Sequence, residues 1–364
     1  MQKRNGSLDV LKFCAMVLIV CHHYQQIYNA FFYGINFFGG RFQFGWVVEL
    51  FFELSGFVII KYIPRIKNGM TFKEFYAKRY LRVAPAMILS ILAFDVIFSW
   101  KLVLLTGSWK SEKITIWNTL ISCLGIQNGW VVINPGINKP LWYISILLLC
   151  YVIFYLTTFL AARMRVSETG FYCAMILLGI AIQTFEWEAP FLMFNTARGY
   201  IAFFYGILLG IAFSKRKPGR RMTGAALLMT AGLTVLILNN LTFVNDHINL
   251  VMTFLYYPSL IIIFNSAPLS KVFDNRFSVL LGRVSFAAYI WHNCCFELID
   301  IFNIRFHLEI RYGSYRTLAI CFMIMLAWAF FADRFIERPL EKKVHDLLNR
   351  RFSGNQQENH EICL

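Results

Sequence analysis

The sequence predicts an all-α membrane protein, a polytopic helical bundle of about ten transmembrane helices with both termini in the cytoplasm. Three observations predict it. Of the 364 residues, 58% are hydrophobic and only 15% are charged, where a soluble domain carries about 25% charge. Several apolar runs approach or exceed the roughly 18–20 residues that cross a bilayer. Lys and Arg gather in alternate connections: segments 1–7, 61–82, 162–167, 214–222, 266–283 and 336–364 hold 24 of the 35, and the intervening loops hold seven. That asymmetry marks cytoplasmic loops. The net charge of +15 therefore has a topological source, and nucleic acid is not an expected partner.

The expected spans are 8–28, 44–60, 83–100, 141–161, 168–185, 191–213, 223–239, 250–265, 284–302 and 314–335. Residues 8–340 form one membrane domain, after a cytoplasmic N-terminus at 1–7. The tail, 341–364, opens as a basic amphipathic helix and ends polar and disordered. The first span shows no small-residue cleavage site and is expected to be retained. The nine cysteines mostly lie in apolar runs without metal-ligand spacing, so they are expected as buried hydrophobes with neither a disulfide framework nor a metal. In the long connection 101–140, the apolar part 114–126 is too short to cross and predicts a helix at the interface. Asn134-Pro135-Gly136 and Lys139-Pro140 then mark a turn before the next span.

The first span carries Asp9, Lys12, His22 and His23. A charge at the centre of a membrane helix costs at least about 2.5–3.5 kcal/mol, which makes it a functional candidate by default. Lys12 and His23 are eleven residues apart, so they share a face within about 20° and lie about 16 Å apart along the axis. His22 points about 100° away. Span two places Glu49 and Glu53 at i,i+4, with Ser55 and Gly56 beyond. Two such carboxylates need cations, water or protons; one is a possible counter-ion of Lys12, as is Asp9. Gly56 suits close helix packing.

In the basic loop 61–82, Arg79 and Arg82 stand at i,i+3 on a short helix and project one way. Arg offers a rigid fork of donors to phosphates, although the same loop serves as a topology signal and an anionic-lipid contact. Span nine aligns Ser285, Tyr289 and His292 at i,i+4,i+7. In span six, Arg198 either snorkels to the outer surface or holds an anionic group of an acceptor. Glu337-Arg338-Pro339 closes the last span, where Pro is expected to stop the helix.

Taken in order, these segments resemble the acyltransferase type 3 family of bacterial integral membrane acyltransferases. The resemblance rests on Lys12 and His23 in LDVLKFCAMVLIVCHH, on Phe51-Phe52-Glu53-Leu54-Ser55-Gly56-Phe57, and on Arg79-Tyr80-Leu81-Arg82. It continues with Leu281-Gly282, the run from Ser285 to His292, and Glu337-Arg338-Pro339, and so covers about 8–340. Two departures stand out. Trp142-Tyr143-Ile144-Ser145-Ile146-Leu147 has Leu147 where many members carry Glu, so that the function of that Glu is either absent or supplied elsewhere, with Glu49 and Glu53 as the candidates. Lys12 replaces the commoner Arg and loses bidentate pairing.

The resemblance implies an O-acyltransferase of the bacterial cytoplasmic membrane. Its co-substrate would be cytoplasmic acyl-CoA, most often acetyl-CoA, with no permanently bound cofactor. Its acceptor would be a hydroxyl of an extracytoplasmic glycan or lipid-linked sugar, and its surroundings membrane lipids. His23 would act as base or transient acyl carrier, with Lys12, Glu49, Glu53 and His292 as further catalytic candidates. Arg79 and Arg82 would hold the CoA phosphates, and Ser55, Trp142, Arg198 and Tyr289 would contact substrates. A transporter is the alternative, but no inverted repeat is visible. A glycan polymerase or glycosyltransferase would usually need a larger outer loop than 101–140.

Overall fold

The computed structural model describes residues 5–39, 43–109, 111–112, 114–130, 136, 138–239, 247–343 and 346. Most of the expected tail and part of the 134–136 turn lie outside them. Of the described residues 80% are helical, and none lies in a strand. Helix α1 (Gly6–Tyr28) starts where the Asn5 side chain accepts from the Ser7 N–H at 3.2 Å, and it ends at Asn29 in the left-handed conformation. Helix α2 (Val47–Ile59) is only 13 residues long. It is lengthened by 3₁₀ turns at Phe44–Trp46 and Ile60–Tyr62, and continues into α3 (Ile63–Lys67).

Helix α4 (Phe72–Thr106) contains 35 residues and runs through Pro85. The expected short basic helix and span three are thus one rod about 52 Å long, capped at Thr71, whose hydroxyl accepts from the Glu74 N–H. Charge divides loop from span in the sequence, but a membrane helix tolerates an internal Pro where its neighbours re-satisfy the backbone. Arg79 and Arg82 consequently sit on the same rigid element as the membrane-crossing part. Helix α5 (Ile116–Leu124) is the short outer helix expected from 114–126. It exposes Ile116, Trp117, Leu120 and Leu124 and buries Ile121, a pattern that suits lying in an interface.

There follow α6 (Trp142–Met164), α7 (Glu168–Thr184), α8 (Phe194–Phe213), α9 (Arg220–Leu238), α10 (Ile248–Asn265), α11 (Ala267–Phe273), α12 (Arg276–Phe306) and α13 (Tyr315–Ala332). Among the described residues, seven helices are long and apolar enough to cross a membrane: α1, α4, α6, α8, α9, α10 and the stretch Tyr315–Lys343 that α13 begins. Helices α2 and α7 are shorter.

Pro339 does not end the last helix, which continues to Lys343. The π turn Asp333–Glu337 precedes it, and a second π turn, Met252–Tyr256, precedes Pro258 inside α10. One extra residue in the turn widens the helix where the Pro ring would otherwise meet a carbonyl one turn earlier.

Two pairings position the site. Helix α2 lies against α8 at backbone contact: a Cβ on Gly56 would meet the Phe203 carbonyl oxygen at 2.0 Å, and one on Gly206 the Glu53 carbonyl oxygen at 2.1 Å. Helices α1 and α12 run parallel. Asp9 packs on Gly282, His23 faces His292, and Tyr28 donates to the Phe296 carbonyl at 2.6 Å. At the opposite end from Asp9, Lys101 of α4 reaches Glu297 and Asp300 of α12, each at 2.7 Å.

Candidate active site

A cavity of about 410 Å³ opens between α1, α2, α4, α6, α12 and the end of the last helix. Four cations line it: Lys12, Arg79, Arg82 and Arg283. Arg79 is buried, donates to the Tyr62 hydroxyl, and lies over the Tyr62 ring at 4.3 Å. Arg65 and Lys61 approach the same ring at 5.3 and 5.8 Å. Lys61 lies past the end of α2, and its ammonium titrates below the usual lysine range, from burial first and then from the charge of Arg79. The Nε atoms of Arg79 and Arg283 are buried without a hydrogen-bond partner. Like charges gathered with unspent donors make a receptor for an anion.

Lys12 has Asp9 as a carboxylate neighbour, at 3.8 Å on its own helix. Of the counter-ions left open by the sequence, Glu49 is engaged elsewhere. Arg198 turns inward and grips it, Nε to Oε1 at 2.5 Å and a terminal nitrogen to Oε2 at 3.0 Å, while also donating to the Gly45 carbonyl at 2.8 Å. Its guanidinium lies between the rings of Trp46 and Trp142, at 4.8 and 4.9 Å. Snorkelling to the outer surface is thereby replaced by a bidentate ion pair with cation–π contacts to both rings. Glu49→Ala would strand a largely buried guanidinium, an expected loss of about 3–5 kcal/mol. That loss should appear as a lowered thermal midpoint in detergent, largely restored by adding Arg198→Met; an unchanged midpoint would show the clamp is dispensable.

Glu53 is fully buried at the α2–α8 contact, and neither carboxylate oxygen has a hydrogen-bond partner. Neither Glu49 nor Glu53 lines the cavity. Leu147 does line it, and the carboxylates beside it there are Asp333, Glu337 and Glu341. Glu337 accepts from the Trp291 indole N–H at 3.2 Å.

Ser55 and Tyr289 also line the cavity. The Ser55 and Tyr143 hydroxyls are 3.3 Å apart, and the Tyr289 hydroxyl donates to the Pro140 carbonyl. One turn beyond Tyr289 stands His292, fully buried, its ring stacked on His23 with centroids 5.1 Å apart and planes at 24°. The His292 Nδ1–H donates to the Tyr289 carbonyl at 2.8 Å, and Nε2 has no partner. A carbonyl can only accept, so in the neutral ring the proton sits on Nδ1 and Nε2 keeps its lone pair. His23 is half-buried, its Nδ1 lying 3.1 Å from the Gln26 side-chain oxygen. His22 is buried and tied to the Phe37 carbonyl at 2.9 Å.

The structure thus gathers the candidates into three groups: Lys12, Arg79, Arg82, Ser55 and Tyr289 in the cavity; His23 with His292; and Glu49, Arg198 and Trp142 in the clamp. The sequence reading missed Arg283, Phe51 and Tyr143. Phe51 stands one turn before Ser55 on the same face, so helical periodicity would have flagged it; Arg283 lies off the face of Ser285, Tyr289 and His292, and no spacing within its helix points to it.

Residues 5–332 match the family described as Acyltransferase domain. The chain belongs to this acyltransferase family. Two relatives of the chain are an O-acetyl transferase of Shigella phage Sf6, 28% identical over 224 residues, and a provisionally named O-acetyltransferase of Staphylococcus aureus strain MRSA252, 22% identical over 339 residues. The alignments cover 58% and 84% of this chain, and only 63% and 54% of those proteins. No solved structure matches the acyltransferase.

Proposed function

We propose that this acyltransferase is a membrane O-acetyltransferase that carries an acetyl group from cytoplasmic acetyl-CoA to a hydroxyl of an extracytoplasmic glycan or lipid-linked sugar. It would do so in a bacterial cytoplasmic membrane, crossing it ten times with both ends inside. One observation carries the reading: the cation-lined cavity is bordered by Tyr289, whose ring lies 6.0 Å from His292, and His292, stacked on His23, keeps an unspent lone pair. The names of the relatives support O-acetylation, and the Lys and Arg asymmetry of the loops supports the orientation.

In this reading the CoA phosphates sit against Arg79, Arg82 and Arg283, where Arg forks can bind two oxygens at once. Lys12, on the α1 face that leads toward His23, guides the thioester end. The acceptor hydroxyl meets the histidine pair from the other side. His23, as base, takes its proton while the hydroxyl oxygen forms a C–O bond to the thioester carbon. The C–S bond then breaks, and the thiolate leaves and is protonated to the free thiol. As transient carrier, His23 would instead hold the acyl group between two such displacements. His292 Nε2 is the adjoining lone pair able to share the proton. Helix α12 positions it, because the same helix carries Arg283 at one end of the cavity and Tyr289 at the other.

Mass spectrometry and NMR of surface glycans from cells with and without the gene test the reading. Ester-linked acetyl groups should vanish on deletion while glycan chain length stays unchanged. Intact acetylation, or altered chain length with intact acetylation, would sink it.

A further inference from the structure

Three aromatic rings, one each from α2, α6 and α12, pack together on the wall of the cavity that Tyr289 shares with the histidines. Phe51, Tyr143 and Tyr289 all line the cavity, and their centroids are 6.1, 6.0 and 5.6 Å apart in the pairs Phe51–Tyr143, Phe51–Tyr289 and Tyr143–Tyr289. Such spacings are those of packed aromatic pairs, so the three rings rest against one another. His292 follows immediately, its ring 6.0 Å from that of Tyr289. Neither His23 nor His292 lines the cavity.

The three rings are not held alike. Tyr289 is pinned through its hydroxyl to the Pro140 carbonyl. Tyr143 reaches the Phe51 carbonyl and the Ser55 hydroxyl, each at 3.3 Å. Phe51 carries no polar group, and packing alone holds its ring. It is also only partly buried, so it is the ring that moves at least cost.

We propose that Phe51, Tyr143 and Tyr289 form a constriction that sets acyl-chain length, with Phe51 as the movable ring. The inference rests on the proposed donor site. An acyl carbon delivered from the cation-lined cavity reaches the histidines past these rings. An acetyl group asks for the smallest displacement; each further methylene must be housed between rings already in contact, and overpacking of a filled site is unfavourable. One methylene in an apolar site discriminates by about 10–200-fold, which suffices for a strong preference for acetyl over butyryl.

The test uses the full-length protein in everted membrane vesicles that carry the host's own surface glycan, with acetyl-CoA and butyryl-CoA supplied at equal concentration. The readout is the ratio of butyryl to acetyl esters on the glycan, by mass spectrometry. Wild type should place almost only acetyl. Phe51→Ala should raise the ratio by about tenfold or more, and Phe51→Leu, which keeps most of the packing and guards against misfolding of the first variant, should raise it less. A ratio unchanged in either active variant, or equal use of both thioesters by wild type, overturns the constriction. If wild type transfers neither group, the failure belongs to the donor reading and not to the rings.

Discussion

His23→Ala is expected to lower acyl transfer by about 10²–10⁴-fold, the usual worth of general-base help, with membrane insertion and thermal midpoint little changed; His292→Ala should lower transfer and also the midpoint, because its ring is fully buried and its Nδ1–H is given to the Tyr289 carbonyl. His23 is half-buried and stacked at 5.1 Å on His292, whose Nε2 has no partner, so the free lone pair of the pair lies where a proton can be exchanged. His22→Ala should behave differently. Its Nδ1–H is spent on the Phe37 carbonyl and its ring lies against Gly45, so its loss should disturb stability more than chemistry. Comparing acyl-transfer rate with thermal midpoint across the three variants separates the roles. A His23→Ala protein that still acylates at the wild-type rate would remove His23 from the mechanism.

The second large effect concerns the cavity cations. Arg79→Ala with Arg82→Ala, and Arg283→Ala alone, should each raise the KM for acetyl-CoA by about tenfold or more. A hydrogen bond to a charged group contributes about 1.5–3 kcal/mol, and about 1.4 kcal/mol is a factor of ten. The rate at saturating donor should change little, because these contacts lie away from the thioester and hold donor and transition state alike. The wild-type donor KM should rise with salt, since Arg82 is exposed and exposed charge is screened, and that rise should be smaller in the Arg79→Ala, Arg82→Ala protein. Donor KM values that stay at wild type in both variants would return the Arg79–Arg82 segment to a topology signal or lipid contact.

Much of the helical pattern was legible because apolar runs and charge asymmetry are local properties. So were Lys12, Arg79, Arg82 and Tyr289, which share the cavity, and the face that carries Ser285, Tyr289 and His292. Each depends only on spacing along one helix. What the sequence could not show is pairing between distant helices. Arg198 and Glu49 are separated by 149 positions, and nothing local says that the guanidinium turns inward to a carboxylate between two Trp rings. The three-ring wall is likewise assembled from three helices. Pro339 misled for another reason: a Pro reads as a helix end, but after the π turn Asp333–Glu337 the helix continues through Pro339.

The central claim is that one site joins a donor on the cytoplasmic face to an acceptor on the other. Sealed vesicles of known orientation, given acetyl-CoA labelled in its acetyl group, test it directly. Label should reach the glycan on the extracytoplasmic side only when the thioester is supplied at the cytoplasmic face, and that labelling should be lost in His23→Ala. Equal labelling from either face, or labelling that persists without His23, would contradict the account.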